Sequence, residues 1–428
     1  MVPNGWQIRT VGHLFEVQLG KMLNKLAKEK HPQYPYLGNS DVRWGYFNLS
    51  DLKSMHFNER EMDKFTLKNG DILMCEGGEV GRCAIWNGGN SQVYYQKALH
   101  RLRGKGEIAP EYFQSYMSFI NGTKLLDDFS TRTSIAHLTR EKLLELPVKT
   151  PPLAEQRKIA KILATWDKAI ATTEKLIETS KQQKKNLMQQ LLTGKKRLVK
   201  STSSRSVREG SALSKIGDIP DDWEVDLISK HYWYQEGPGV RKHQFTENGV
   251  KLFNGTNIQQ SRIDLSNTST YISSEEAYGP YSHFLAERGD LVIACSGISV
   301  ERFDEKIAFI NETHLPLCMN TSTMRFKVKS ETTACLTFMR YFMMSDLFKN
   351  QIRRQITGSA QLNFGPSHMA KCFIPLPPLE EQKKIASVLS CADKEVDILE
   401  AKLSHFKQEK KALMQQLLTG KRRVSLSS

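Results

Sequence analysis

Near the C-terminus, residues recur at alternating steps of four and three: Ile385, Leu389, Ala392, Val396, Leu399, Leu403, Phe406, Lys410, Leu413 and Leu417. An unbroken seam of this period, apolar but for one lysine, predicts a long helix that packs on another through its a and d positions. The same spacing occurs earlier at Ile159, Leu163, Trp166, Ile170, Thr173, Ile177, Ser180, Lys184, Leu187 and Leu191. Each run follows a proline pair and carries an acidic residue in its first turn, Glu155 or Glu381, where the helix dipole favours negative charge. Each stops at a glycine, Gly194 or Gly420, followed at once by basic residues. About 40 residues at ~1.5 Å each predict a rod of roughly 60 Å. The polar seam residues Thr173, Ser180 and Lys184 are expected to set register at some cost in stability.

The two runs are copies of one another. Residues 151–198 align with 377–424 over 48 positions without a gap, and 26 are identical. The ending LMQQLLTGKKR (187–197) returns as LMQQLLTGKRR (413–423). A repeat of so long a period implies two half-proteins in tandem rather than a solenoid of small units. Two seams in one chain should pack on each other. The intervening segments join the end of one helix to the start of the other, so an antiparallel pair with a globular domain at each end is the expected arrangement. Residues 200–215 (KSTSSRSVREGSALSK) read as a polar linker.

The other segments, 1–150 and 216–376, differ in wording but share an order of landmarks. Each begins PxxW, as PNGW (3–6) or PDDW (220–223). A Gly/Asn turn follows, in YLGNSDV (36–42) or LFNGTNI (252–258), then a strand opened by Gly-Asp, in GDILMC (70–75) or GDLVIAC (289–295). Each closes on a polar loop and a helix-like piece, at 130–147 and 357–375. Short aromatic and β-branched runs between Gly and Asn turns, with a few helices, describe an α+β domain. Trp6 and Trp223 read as core anchors.

Charge narrows the choice of partners. The net charge is +15, and it is concentrated. Nine Lys or Arg and no acid lie between Glu178 and Glu209, and five more follow Glu409. Paired basic clusters at equivalent repeat positions suit a phosphate backbone or an acidic protein surface. The seven cysteines show no CxxC and no histidine clustering, so ordinary buried thiols of a reducing cytosol are expected. No run approaches the roughly 18 apolar residues of a membrane span, and a cytoplasmic protein is the expectation.

These features together resemble the specificity subunit of a type I restriction–modification system. The resemblance rests on two PPLxEQxKIA helix openings, two LMQQLLTGK endings, the PxxW starts and the GD-initiated strands, and it covers nearly the whole chain. It implies two tandem α+β target-recognition domains (1–150 and 216–376), each reading half of a split, asymmetric site in double-stranded DNA. The helices (151–198, and 377–428 with its basic tail) would be spacers and docking surfaces for two modification, or methyltransferase, subunits, with 199–215 as linker. Restriction subunits would add ATP-dependent cleavage. S-adenosylmethionine, ATP and Mg would sit on the partners, with no cofactor or metal on this chain.

A search for chemistry agrees with that division of labour. Amino methylation by family resemblance needs Asn/Asp-Pro-Pro-aromatic, but here Thr150 and Leu376 precede the proline pairs. GGEVG (77–81) lacks GxGxxG spacing, and Gly194–Lys195 has Gln189 where a nucleotide loop needs glycine. Pairings of Pro220–Asp221 with Asp304–Lys306 or Glu381–Lys383 read as noise, and no HExxH occurs. A non-catalytic chain is expected.

Base edges are read by Arg, Asn, Gln and small polar side chains. The loops before the long helices supply Arg132, Ser134 and His137 in the first half, and Ser359, Gln361 and Asn363 in the second. Glycine-rich turns add Arg82, Ser296 and Ser299, while Arg241, Lys242 and His243 suit backbone contact. The basic helix ends Lys195, Lys196, Arg197 and Lys421, Arg422, Arg423 are the expected phosphate contacts. The competing reading is a coiled-coil protein–protein adaptor without sequence-specific DNA reading.

Overall fold

The computed structural model describes residues 2–89, 92–132, 136–199, 216–266, 268–356 and 363–425. The linker 200–215 lies outside them. The chain forms two compact units, Met1–Lys175 with Glu400–Ser428, and Leu176–Leu399. The boundaries fall within the long helices, so each unit holds the first part of one helix and the last part of the other.

The helices run Leu153–Leu192 and Leu379–Leu417. All twenty seam positions are buried or half-buried, while most of the remaining helix surface is exposed. That is the burial stripe a 3.5-residue period demands. In the first unit Trp166 meets Phe406 edge-on with ring centroids 5.6 Å apart, Lys410 pairs with Asp167, and Lys407 Nζ lies 2.7 Å from Glu174. In the second, Ser180 Oγ donates to Glu395 at 3.4 Å and Lys184 pairs with Asp393. Within each unit the helices are antiparallel. Of the polar seam residues, Ser180 and Lys184 bond across the seam, whereas Thr173 bonds back to the Ala169 carbonyl at 2.8 Å.

Each unit also carries one α+β domain, and the two share a topology. In the first, strands Phe15–Leu19, Leu99–Gly104, Ile72–Cys75 and Cys83–Ile85 form an antiparallel sheet in that order. A smaller sheet pairs Gln33–Leu37 antiparallel with Lys53–His56 and parallel with Tyr94–Tyr95. In the second, Tyr232–Glu236, Thr323–Val328, Leu291–Ala294 and Ile307–Phe309 repeat the first sheet. Val250–Phe253 again pairs parallel, with Leu317–Met319. A strand at the start of each domain, Gln7–Thr10 or Glu224–Leu227, returns to the strand that leads into a long helix, Pro147–Thr150 or Phe373–Leu376.

The Gly-Asp landmark has a packing cause. Asp71 and Asp290 are 2% and 1% exposed, so each carboxylate must be paired. Asp71 accepts from the Lys68 amide (2.7 Å) and from Arg103 Nε and Nη2 (2.8 and 2.6 Å). Asp290 accepts from the Glu287 amide (2.9 Å) and Arg325 Nη1 (3.2 Å). In both domains the acid caps the turn before the central strand and neutralises an arginine of the next strand. Trp6 and Trp223 are buried as expected. Five of the seven cysteines are buried; Cys335 is half-buried, and Cys391 is exposed on the second helix, against expectation.

Candidate nucleic-acid interface

The repeated PPLxEQ and LMQQLLTGKxR words meet in space. In the second unit Glu381, fully buried, accepts from Trp223 Nε1 (3.3 Å), from the Leu198 amide (3.1 Å) and from Arg197 Nε and Nη2 (2.9 and 2.7 Å). Arg197 also forks onto Asp222, at 2.7 and 2.8 Å. In the first unit Glu155 accepts from Trp6 Nε1 (3.1 Å) and from Arg423 Nε and Nη2 (both 2.7 Å), while Arg423 Nη1 donates to the Asn4 carbonyl. The carboxylates raise the pKa of both guanidinium groups, which are held charged. The adjacent glutamines pin the domains: Gln156 bonds the Ala109 amide and the Glu107 and Pro151 carbonyls, and Gln382 the Cys335 amide and the Thr333 and Pro377 carbonyls.

Two of the expected phosphate contacts lie in these junctions. Arg197 and Arg423 spend their guanidinium groups on buried carboxylates within the chain. Positive charge counted along a sequence does not show a carboxylate brought in by another helix. The glycines beside them are set by the same junctions: a Cβ on Gly194 would lie 2.2 Å from Pro220 Cγ, and on Gly420 2.3 Å from Pro3 Cγ, both at positive φ. Lys195, Lys196, Lys421 and Arg422 are exposed at these helix ends.

Within each domain four loops converge at one end of the larger sheet. In the first, Asn39 Nδ2 donates to the Gly77 carbonyl (2.9 Å), Gly77 bridges to His137, and the Leu138 amide donates to the Glu76 carbonyl (2.7 Å). The Gln96 amide closes the set on the Leu37 carbonyl (3.0 Å). Below it, fully buried His100 uses Nε2 on the Leu138 carbonyl (3.0 Å), and burial lowers its pKa, favouring the neutral ring. In the second, Gly255 donates to Ser322 Oγ, Cys295 N to the Ser322 carbonyl, and Phe364 N to the Cys295 carbonyl, all at 2.9 Å. Asn320 Nδ2 donates to Asn254 Oδ1 at 3.0 Å. The loops correspond one for one: 38–41 with 254–257, 76–82 with 295–300, 95–97 with 320–322, and 136–138 with 363–365.

The structure thus brings His137 to the Arg82 turn and Asn363 to Ser296. Arg82 itself is turned inward. Its side chain is 14% exposed, with Nη1 on Glu79 (3.0 Å) and Nη2 on the Asn39 carbonyl and Oδ1 (3.0 and 2.9 Å). It clamps two loops together instead of reaching outward. Ser299 is half-buried in the corresponding loop. Arg241, Lys242 and His243 are exposed on a separate turn, whose Gln244 bonds Glu276 and Tyr281. Arg132 pairs through its backbone with Ala136. Ser134, Ser359 and Gln361 lie outside the described residues. The sequence alone did not show that Asn39, Asn254, Asn320 and Ser322 tie these loops together. The Gly/Asn turn landmark pointed at the first two, but as turn formers only.

Among the described residues one trio, Glu224, Asp226 and His231, brings metal-capable atoms within 4.8 Å. Asp226 is already bonded to His231 Nε2 (3.1 Å), Lys230 Nζ (2.9 Å) and the Leu227 amide (2.8 Å), an ordinary strand-end network. No described helix is long and apolar enough to cross a membrane.

A duplicated α+β domain presenting one cluster of polar loops, clasped to a duplicated helix, defines a two-headed recognition protein. A family model described as the type I restriction modification DNA specificity domain matches residues 3–182 and again 220–408. The chain belongs to this family: it is a specificity subunit of a type I restriction–modification system, a non-catalytic component. It is 28% identical over 430 residues to the type I restriction enzyme MjaVIII specificity subunit of Methanocaldococcus jannaschii, covering 99% of this chain and 94% of that protein. The EcoKI specificity subunit of Escherichia coli K12 is 25% identical over 208 residues, covering 48% of this chain and 43% of that protein. Among solved structures, the S subunit from M. genitalium matches with TM-score 0.57 at 15% identity, covering 100% of this chain and 99% of that one. A chain from a study of complex assembly and conformational transition in a type I R-M system matches with TM-score 0.60, also at 15% identity, covering 99% and 100%. These likenesses show the fold.

Proposed function

We propose that each recognition domain reads one half of a bipartite, asymmetric site in double-stranded DNA through its four converging loops. We infer further that the paired helices hold two modification subunits, with restriction subunits joining the assembly. The carrying observation is the loop cluster itself. Two domains of different wording place polar loops at the same corner of the same sheet, so the scaffold is shared while the reading groups differ. Different readers on equal scaffolds make an asymmetric site. S-adenosylmethionine, ATP and Mg are assigned to the partner subunits, and the setting is the cytoplasm.

The duplication supports two equal docking surfaces. Exposed helix positions have mostly drifted between copies, as at Glu178 and Ser404, Thr179 and His405, or Asn186 and Ala412. Ion pairs within the units account for the shared Lys184, Lys410, Asp167 and Asp393. Gln182, Lys185 and Gln189 are kept as Gln408, Lys411 and Gln415, all exposed at helical spacing on one face. A shared partner met twice explains surface residues kept twice. The expected result for Lys185→Glu is a complex with one modification subunit in place of two, and Lys411→Glu should behave alike. Native mass spectrometry reads the stoichiometry. Two bound copies with both residues changed would send the docking surface elsewhere on the helices. If the wild-type chain, saturated with modification subunit, retains no DNA sequence preferentially, the adaptor reading takes over.

A further inference from the structure

Asn363 differs from the other loop residues in having one end of its amide already committed. Its Oδ1 accepts from Ser296 Oγ and from the Gly297 amide, each at 2.8 Å. A backbone N–H can only donate, so the oxygen must face the loop and the amide orientation is settled by chemistry. The Nδ2 group, with two N–H donors, is left at the other end of an exposed side chain. The neighbouring Phe364 is buried and its amide is bonded to the Cys295 carbonyl at 2.9 Å, which anchors the residue from below. In the first domain, Asn39 by contrast spends both ends of its amide within the loops, Nδ2 on the Gly77 carbonyl and Oδ1 on Arg82.

We propose that Asn363 is a specificity-determining residue of the second recognition domain, presenting a fixed donor pair that selects guanine in its half-site. This rests on the DNA-reading function proposed above. An asparagine that reads adenine does so bidentately, donating to N7 and accepting from the N6 amine. Here the acceptor half of that pairing is occupied twice over. What remains is a pure donor, and guanine presents two acceptors, O6 and N7, side by side in the major groove. Ser296 and Gly297 are positioning residues that act through Asn363.

Two substitutions test this in the complete complex with its modification subunit, by mapping methylated sites across genomic DNA. Asn363→Asp keeps an oxygen acceptor for both loop donors while replacing the outward donor by an acceptor. Asn363→Ala removes the group. The wild-type motif is expected to hold a G·C pair in the half-site that changes when residues 216–376 are exchanged for another domain. Asn363→Ala should relax discrimination at that pair by about tenfold or more, and Asn363→Asp should turn preference away from guanine, with every other specified base kept. A variant complex too weak to methylate is read by affinity selection from duplexes randomised over that half-site, with the same expected bases. The proposal is overturned if both variants retain the wild-type discrimination at every position, or if that half-site lacks a G·C pair; the specificity reading then still stands. A wild-type complex with no sequence motif at all would bring down the reading itself, and this proposal with it.

Discussion

Replacing Glu381 by Ala should destabilise the second unit by about 3 kcal/mol or more, lowering its melting temperature by roughly 6–12 °C. The carboxylate is fully buried and collects Arg197, Trp223 and the Leu198 amide. Its removal strands an indole N–H and part of a guanidinium that is only 18% exposed. Removing one member of such a pair costs more than the pair contributes, because the remaining charge stays desolvated. Glu381→Gln keeps an acceptor for Trp223 and should lose less. Glu155→Ala in the first unit should also lose less, since Arg423 is 45% exposed and can be rehydrated. Calorimetry of the three variants checks the order. Equal, small losses would mean that the junction is held by packing alone.

A chain of residues 216–428 alone should form a two-fold dimer and, with modification subunits, methylate a palindromic site built from the second half-site. The missing first helix supplies the second unit with Lys184, Leu187, Leu191, Gly194 and Arg197, and the second helix carries the same residues at 410, 413, 417, 420 and 423. Two shortened chains can therefore complete each other's junctions: Arg423 of one would meet Glu381 and Asp222 of the other. Symmetry in the protein is mirrored by symmetry in the site. Sedimentation and methylation mapping read both consequences. A stable monomer, or a dimer that still requires the asymmetric site, contradicts the interchangeable-junction account.

Long-period features of this molecule were legible from the sequence. The seam was readable because a 3.5-residue period leaves one solution for which side is buried, and all twenty seam positions lie there. The GD and PxxW landmarks marked equivalent places in two domains of different wording. Their causes were not legible, because Asp71 meets Arg103 and Trp6 meets Glu155 only across the fold. The same blindness hid where three arginines go. Arg82, Arg197 and Arg423 look like DNA contacts by composition and by neighbours, yet each is bonded to a carboxylate or carbonyl from a loop or helix distant in sequence. Asn363 stood out in the sequence as a candidate for base contact, but the direction its amide faces depends on Ser296 and Gly297, 67 and 66 residues away.

Two independent reading heads on one scaffold should be exchangeable one at a time. A methylation map made after residues 216–376 are exchanged for the second recognition domain of another specificity subunit, with the helices untouched, tests this. One half of the motif should change completely while the other half keeps every base. Methylation that changes in both halves, or in neither, would contradict the account.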